Sequence, residues 1–154
     1  MKNASSPYWL VVADSGCARF FALSREPAAF REMQKLVSAS RHKTSREMMS
    51  DSSGRIVNVA GGSSSHSLAP RADAHDLAEQ AFSNELVAKL EQAANSNAFE
   101  HLVVIADPKT LGRLRQHMSK SLSARVAHEL NRDLVALPVD ALEQRVRAEL
   151  GWSD

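Results

Sequence analysis

Tyr8-Trp9-Leu10-Val11-Val12-Ala13, closed by Asp14, and His101-Leu102-Val103-Val104-Ile105-Ala106, closed by Asp107, are the two runs that decide the fold. Neither alternates apolar with polar residues. A short, unbroken apolar run of this kind suits a strand covered on both faces, in the middle of a sheet. Because both runs end in Ala-Asp, they are expected to lie side by side as central strands.

The residues next to each run supply the rest of the sheet. Ser15-Gly16 is a turn signal. Cys17 to Ser24, with Phe20, Phe21 and Leu23, follows so closely that the first two strands should form an antiparallel hairpin. Pro27 breaks the pattern, and Phe30 to Ser38 is read as a third strand with a helix as the competing reading. A long amphipathic helix is expected from Asp73, as N-cap, to about Asn95. Its apolar face is Ala78, Phe82, Leu86 and Leu90, flanked by Leu77, Ala81 and Val87, with Asp76 in the first turn and an outward Glu85–Lys89 pair. After the second central run, helix is expected from Pro108 to Met118, with a further turn over Lys120 to Ala124. Arg125 to Asp133 fits either strand or helix, and strand is chosen because it completes an alternating pattern. Pro138 opens a last helix, with Val139, Leu142, Val146 and Leu150 facing in and Gly151 ending it. The order β-β-β-α-β-α-β-α predicts an α/β protein with a ribonuclease-H-like mixed sheet and helices packed on it.

Composition bounds the function. A chain of 154 residues, 44% hydrophobic and 24% charged, is read as one domain, residues 1–154, with enough core to need no staple. Cys17 is the only cysteine, which excludes an intrachain disulfide and a cysteine-based zinc site. The first apolar run is too brief for a signal segment or a membrane span, so a cytoplasmic chain is expected. Net charge is only +1, and nucleic-acid contact must therefore come from local clustering.

Such a cluster exists between the third strand and the long helix. Over about residues 40–72, Arg41, Lys43, Arg46, Arg55 and Arg71 face only Glu47 and Asp51, and Gly61-Gly62 lies near the end. Arg55 to Val59 has the pattern of a short edge strand. A flexible basic loop this long exceeds what a connector needs, and a solvated surface loop is the alternative reading. Running into a helix N-terminus, it offers guanidinium, ammonium and free backbone N–H groups to phosphates.

Other chemistry is thinner. Asp14 and Asp107, at the carboxyl ends of adjacent strands, mark a candidate ligand or metal cleft, which Asp133 would complete as a two-metal phosphodiester site; turn and helix capping is the plainer reading of the same residues. His75 and Glu79 have i,i+4 metal-ligand spacing but no further ligands, and a solvated first turn is the plainer reading. Cys17 reads as a small core residue. Trp9 and Trp152 are assigned to the core over an interface. Gly-x-Ser-x-Gly and the Walker phosphate loop are both absent. No catalytic residue, metal or cofactor is assigned.

The motifs Leu10 to Leu23 (LVVADSGCARFFAL), Ser50 to Arg55 (SDSSGR), Gly61-Gly62, Arg71 to Phe82 (RADAHDLAEQAF), Leu102 to Met118 (LVVIADPKTLGRLRQHM) and Val126 to Pro138 (VAHELNRDLVALP) together resemble the bacterial host-attachment family. That family is in turn similar to the middle domain of archaeal and eukaryotic peptide-chain release factors. There a Gly-Gly-Gln loop precedes a long helix and promotes peptidyl-tRNA hydrolysis. The resemblance implies that Gly61 and Gly62 match the two glycines. Ser63 stands in place of the glutamine, which removes the basis for peptide release. What it implies is a non-enzymatic module whose partner is RNA or the ribosome, bound through Arg41, Lys43, Arg46, Arg55, Gly61, Gly62 and Arg71. Two alternatives stay open: a ribonuclease-H-like metal-dependent nuclease or phosphoesterase using Asp14 and Asp107, and a protein-interaction module, alone or as an oligomer, acting indirectly in attachment.

Overall fold

A computed structural model describes residues 7–25, 28–38 and 68–152. Among the described residues five strands form one sheet: β1 (Tyr8–Ala13), β2 (Cys17–Ser24), β3 (Ala29–Val37), β4 (His101–Ala106) and β5 (Val126–Asn131), in spatial order β3-β2-β1-β4-β5. The first three are mutually antiparallel, whereas β4 is parallel to β1 and β5 parallel to β4. The two apolar runs are neighbours as expected, in the register Tyr8 to His101 through Ala13 to Ala106. The described residues form four helices: α1 (Leu68–Asn95), α2 (Pro108–His117), α3 (Lys120–Arg125) and α4 (Val139–Leu150), the last following β5. The chain is thus a mixed α/β structure. Its element order differs from the expected one by α3, a separate helix capped by the Ser119 hydroxyl, which accepts from the Leu122 N–H.

Both faces of the sheet are covered, which is why β1 and β4 read as unbroken apolar runs. Val11, Ala13, Ala18, Phe20, Leu102, Val104 and Ala106 pack beneath α1, α2 and α3, meeting Phe82, Leu86, Leu90, Leu111, Leu114 and Leu122. On the opposite face Leu10, Val12, Phe21, Val103 and Ile105 meet Leu142, Val146 and Trp152 of α4 and its carboxyl end. Gly151 terminates α4 in the left-handed region at φ 72°, where its N–H reaches the Ala148 and Arg147 carbonyls.

The long helix departs from its expected form. It begins at Leu68, so Asp73 is not its cap and Asp76 is not in its first turn, which carries no acid. Pro70 is compatible with a first turn, whose N–H groups need no intrahelical partner, and alanine-rich sequence around it favours helix. The face also rotates away from two residues assigned to it: Leu77 is 66% exposed and Ala81 is exposed. Phe82, Leu86, Val87 and Leu90 keep the core positions. Among the described residues Glu85 and Lys89 form no ion pair; Lys89 instead lines a cleft beside Trp9. Among the described residues no helix is long and apolar enough to cross a membrane.

Candidate functional site

The carboxyl edge of β1 and β4 places Asp14 and Asp107 just beyond paired Ala13 and Ala106. Each carboxylate has a local structural partner. Asp14 Oδ1 accepts from the Gly16 N–H at 2.9 Å and the Cys17 N–H at 2.8 Å, closing the β1–β2 turn. Asp107 is the N-cap of α2, its Oδ2 accepting from the Thr110 N–H at 3.2 Å. Its other oxygen, Oδ1, is buried with no hydrogen-bond partner among the described residues. Asp133 lies exposed past the end of β5. Among the described residues no three His, Cys, Asp or Glu side chains gather as a metal-binding group. Cys17 is half-buried at the start of β2 rather than enclosed in the core.

The same edge anchors the chain on either side of the basic segment. The Ser38 N–H, just after β3, donates to the Gly16 carbonyl at 2.9 Å, tying the end of that strand to the Asp14 turn. On the far side, α1 is clasped to α2 close to Asp107. Arg113, 7% exposed, donates from Nη1 to Glu79 Oε1 at 2.7 Å and from Nη2 to Asp76 Oδ1 at 2.6 Å. Lys109 Nζ lies 3.6 Å from Glu79 Oε1, and His75 Nε2 lies 3.3 Å from Glu79 Oε2. Burial pushes the Glu79 carboxyl up, but the Arg113 hydrogen bond and the charges of Arg113, Lys109 and His75 outweigh it and hold the group below the ordinary carboxylate range. Asp76 and Glu79 therefore clasp α1 to α2, whereas the exposed His75 touches only Glu79 of its own helix.

Of the residues assigned to phosphate contact, Arg41, Lys43, Arg46, Arg55, Gly61 and Gly62 lie outside the described residues, as does the strand expected over Arg55 to Val59. Arg71 falls within the first turn of α1 and not in the preceding loop, because the helix starts earlier than its aspartate suggested.

Two buried arginines were missed by sequence reading. Arg113 is one; the paired acids at Asp76 and Glu79, three residues apart on one helix, were the available sign that a cation must face them. Arg19 is the other. It sits among Ala18, Phe20 and Phe21 on a strand with both faces covered, a setting in which a guanidinium requires partners. It has three, reached by four hydrogen bonds: Nε and Nη2 donate to the two oxygens of Glu32 across β2 and β3, at 3.0 and 2.9 Å, and Nη1 donates to the Val135 and Leu137 carbonyls at 2.9 and 2.6 Å. This holds the β5–α4 connection to the sheet. The Glu32 hydrogen bond raises the Arg19 pKa and the same bond lowers that of Glu32. Of the tryptophans, Trp152 is buried against α4, whereas Trp9 is half-buried beneath α1.

Among known proteins, the chain is 33% identical over 81 residues to "Uncharacterized protein RP470" of Rickettsia prowazekii (strain Madrid E); the match spans 51% of this chain and 54% of that protein. The model of the family described as "Protein required for attachment to host cells" matches residues 9–146. That span runs from the start of β1 into α4 and takes in both central strands, the anchored edge and the α1–α2 clasp, so the chain belongs to the family of proteins required for attachment to host cells.

Proposed function

We propose that this host-attachment protein is a cytoplasmic, non-enzymatic module that associates with RNA or the ribosome, and that its link to attachment is indirect. The observation that carries the reading is where the basic segment is anchored. Ser38 on one side and the α1–α2 clasp on the other bring its two flanks to the carboxyl edge of β1 and β4. Between them the sequence carries Arg41, Lys43, Arg46 and Arg55 against Glu47 and Asp51, with Gly61-Gly62 before α1. The cations are suited to phosphate oxygens, and the glycines let a backbone approach a partner closely. Antiparallel strands leading into parallel β4 and β5 support a ribonuclease-H-like, release-factor-like domain over residues 1–154, with α3 as an addition to it. Ser63 in place of glutamine supports binding without peptide release.

Sedimentation of native lysate through sucrose at low and high salt tests this. Salt-sensitive co-migration with ribosomal particles is expected, and neutralising Arg41, Lys43, Arg46 and Arg55 together should abolish it. A peak confined to free-protein fractions at both salts would overturn the reading in favour of a protein partner.

One observation favours a second reading, a metal-dependent nuclease or phosphoesterase: Asp107 Oδ1 is buried beside the end of β1 without a hydrogen-bond partner among the described residues. Asp107→Asn keeps the helix cap while removing the charge. If this reading holds, magnesium-dependent cleavage of RNA by the wild type disappears in that variant; no cleavage by the wild type ends it.

A further inference from the structure

Far from Asp14 and Asp107, where β1 begins and α1 ends, a cleft of about 310 Å³ opens between the sheet and the helix, lined by Trp9, Gln34, Lys89, Gln92, Ala93, Ser96 and Ala98. Its size is at the lower end of small-ligand sites. Its floor is an indole held by Phe99 and Phe20, at ring-centroid distances of 5.1 and 6.2 Å, yet only half-buried. In the sheet register Trp9 is paired with Ala22, and Ala22 with Arg31, so a methyl-sized side chain separates the indole from an exposed guanidinium on the same face. Of the polar residues around the indole, Ser96 donates to the Gln92 and Ala93 carbonyls, and the longer side chains are uncommitted. Among the described residues the side chains of Gln34, Gln92, Lys89 and Arg31 make no hydrogen bond or ion pair.

We propose that this cleft binds a single unstacked nucleotide. Each part of such a ligand meets a matching group. The base stacks on Trp9, as bases do on exposed aromatic rings whatever their identity. The Gln34 and Gln92 carboxamides, each both donor and acceptor, meet the hydrogen-bonding edge of the base. Lys89 and Arg31 supply positive charge to the phosphate. The ligand is either a free mononucleotide or an unpaired nucleotide of an RNA. The site is independent of the basic segment and goes beyond the function proposed above.

The test follows the two indole N–H resonances of the full chain by NMR, since Trp9 and Trp152 are its only tryptophans. The chain is titrated with adenosine monophosphate, uridine monophosphate, a short single-stranded oligoribonucleotide and inorganic phosphate. A saturable shift of the Trp9 resonance, with Trp152 unmoved, is expected for the nucleotides and not for phosphate. Tighter binding of the monophosphates assigns the free nucleotide; tighter binding of the oligonucleotide assigns the unpaired RNA base. Trp9→Ala removes core packing, so the variants are Gln92→Ala and Lys89→Ala on the surface of α1. Each should weaken binding about tenfold or more with unchanged thermal unfolding. Neutralising Arg41, Lys43, Arg46 and Arg55 should leave the Trp9 shift intact, which separates this site from the ribosome reading. No Trp9 shift with any nucleotide at millimolar concentration, the same shift with phosphate alone, or undiminished affinity in both variants would overturn the proposal.

Discussion

Arg19 shows what one charged side chain does inside a sheet. Its guanidinium is committed to a carboxylate on β3 and to two carbonyls beyond β5, and its carbon lies 5.2 Å from the centre of the Phe21 ring. Arg19→Met is therefore expected to cost more than a surface pair would, about 3 kcal/mol, because Glu32 and both carbonyls lose their donor in a largely enclosed place. Arg19→Lys should recover part of that loss, since an ammonium can serve some of these acceptors but lacks the planar fork. Urea unfolding of the three proteins measures both effects. Residue chemistry of this kind was partly legible in the sequence. Asp14 and Asp107 were placed at adjacent strand ends from the repeated Ala-Asp alone. Arg19 was not singled out, because its carbonyl partners lie on the far side of β5 and no local pattern joins residue 19 to residues 135 and 137.

At the scale of elements, the α1–α2 clasp and the end of α4 make separate predictions. Glu79 and Glu32 both have pKa values held below the ordinary 4.5. Groups lowered in this way contribute stability that is fully present above the ordinary value and is lost as pH falls through the lowered one. The urea midpoint should accordingly drop on the acid side of about pH 4.5, and Glu79→Gln should flatten part of that slope while lowering stability at neutral pH. A slope identical to wild type would mean that the Arg113 clasp does not contribute. Gly151→Ala should destabilise by about 1 kcal/mol, because the left-handed backbone opposes a Cβ even though nothing lies within 4 Å of one. Thermal unfolding against wild type checks it. β1, β2, β4, α1, α2 and α4 were legible in apolar patterning, whereas the segments of β3 and β5 fitted a helix as well and α3 was read only as a further turn. The start of α1 was not legible, because Asp73 and Asp76 look like an N-cap and first turn when the residues before them have no apolar rhythm. Asp76 instead pairs with Arg113 of α2, and only tertiary structure shows that.

For the whole molecule, the sheet divides the interior into two cores that share β1, β2 and β4. Leu86→Ala beneath α1 and Leu142→Ala beneath α4 each remove a fully buried side chain, and each should cost about 2–5 kcal/mol. Because both cores rest on the same strands, circular dichroism and Trp152 fluorescence should lose signal at one urea midpoint in both variants; two midpoints would show that the faces unfold separately. The mixed sheet was readable from an early hairpin followed by helix-separated strands, whereas the clasp and the uncommitted groups around Trp9 depend on contacts between distant segments that no spacing records. The parallel pairing of β1 with β4 also sets a schedule. During synthesis β1, β2 and β3 are available to one another early, but one edge of β1 has no neighbour until residues 101–106 emerge. Translation proceeds at roughly 5–20 residues per second, so this wholly apolar strand waits several seconds with its backbone unpaired on that side. An unpaired apolar edge invites pairing with another nascent chain. Fragments halted before β4 should aggregate or be held by chaperones, while those extending through β5 should not, making residues 101–106 the point at which the growing chain becomes safe from its neighbours.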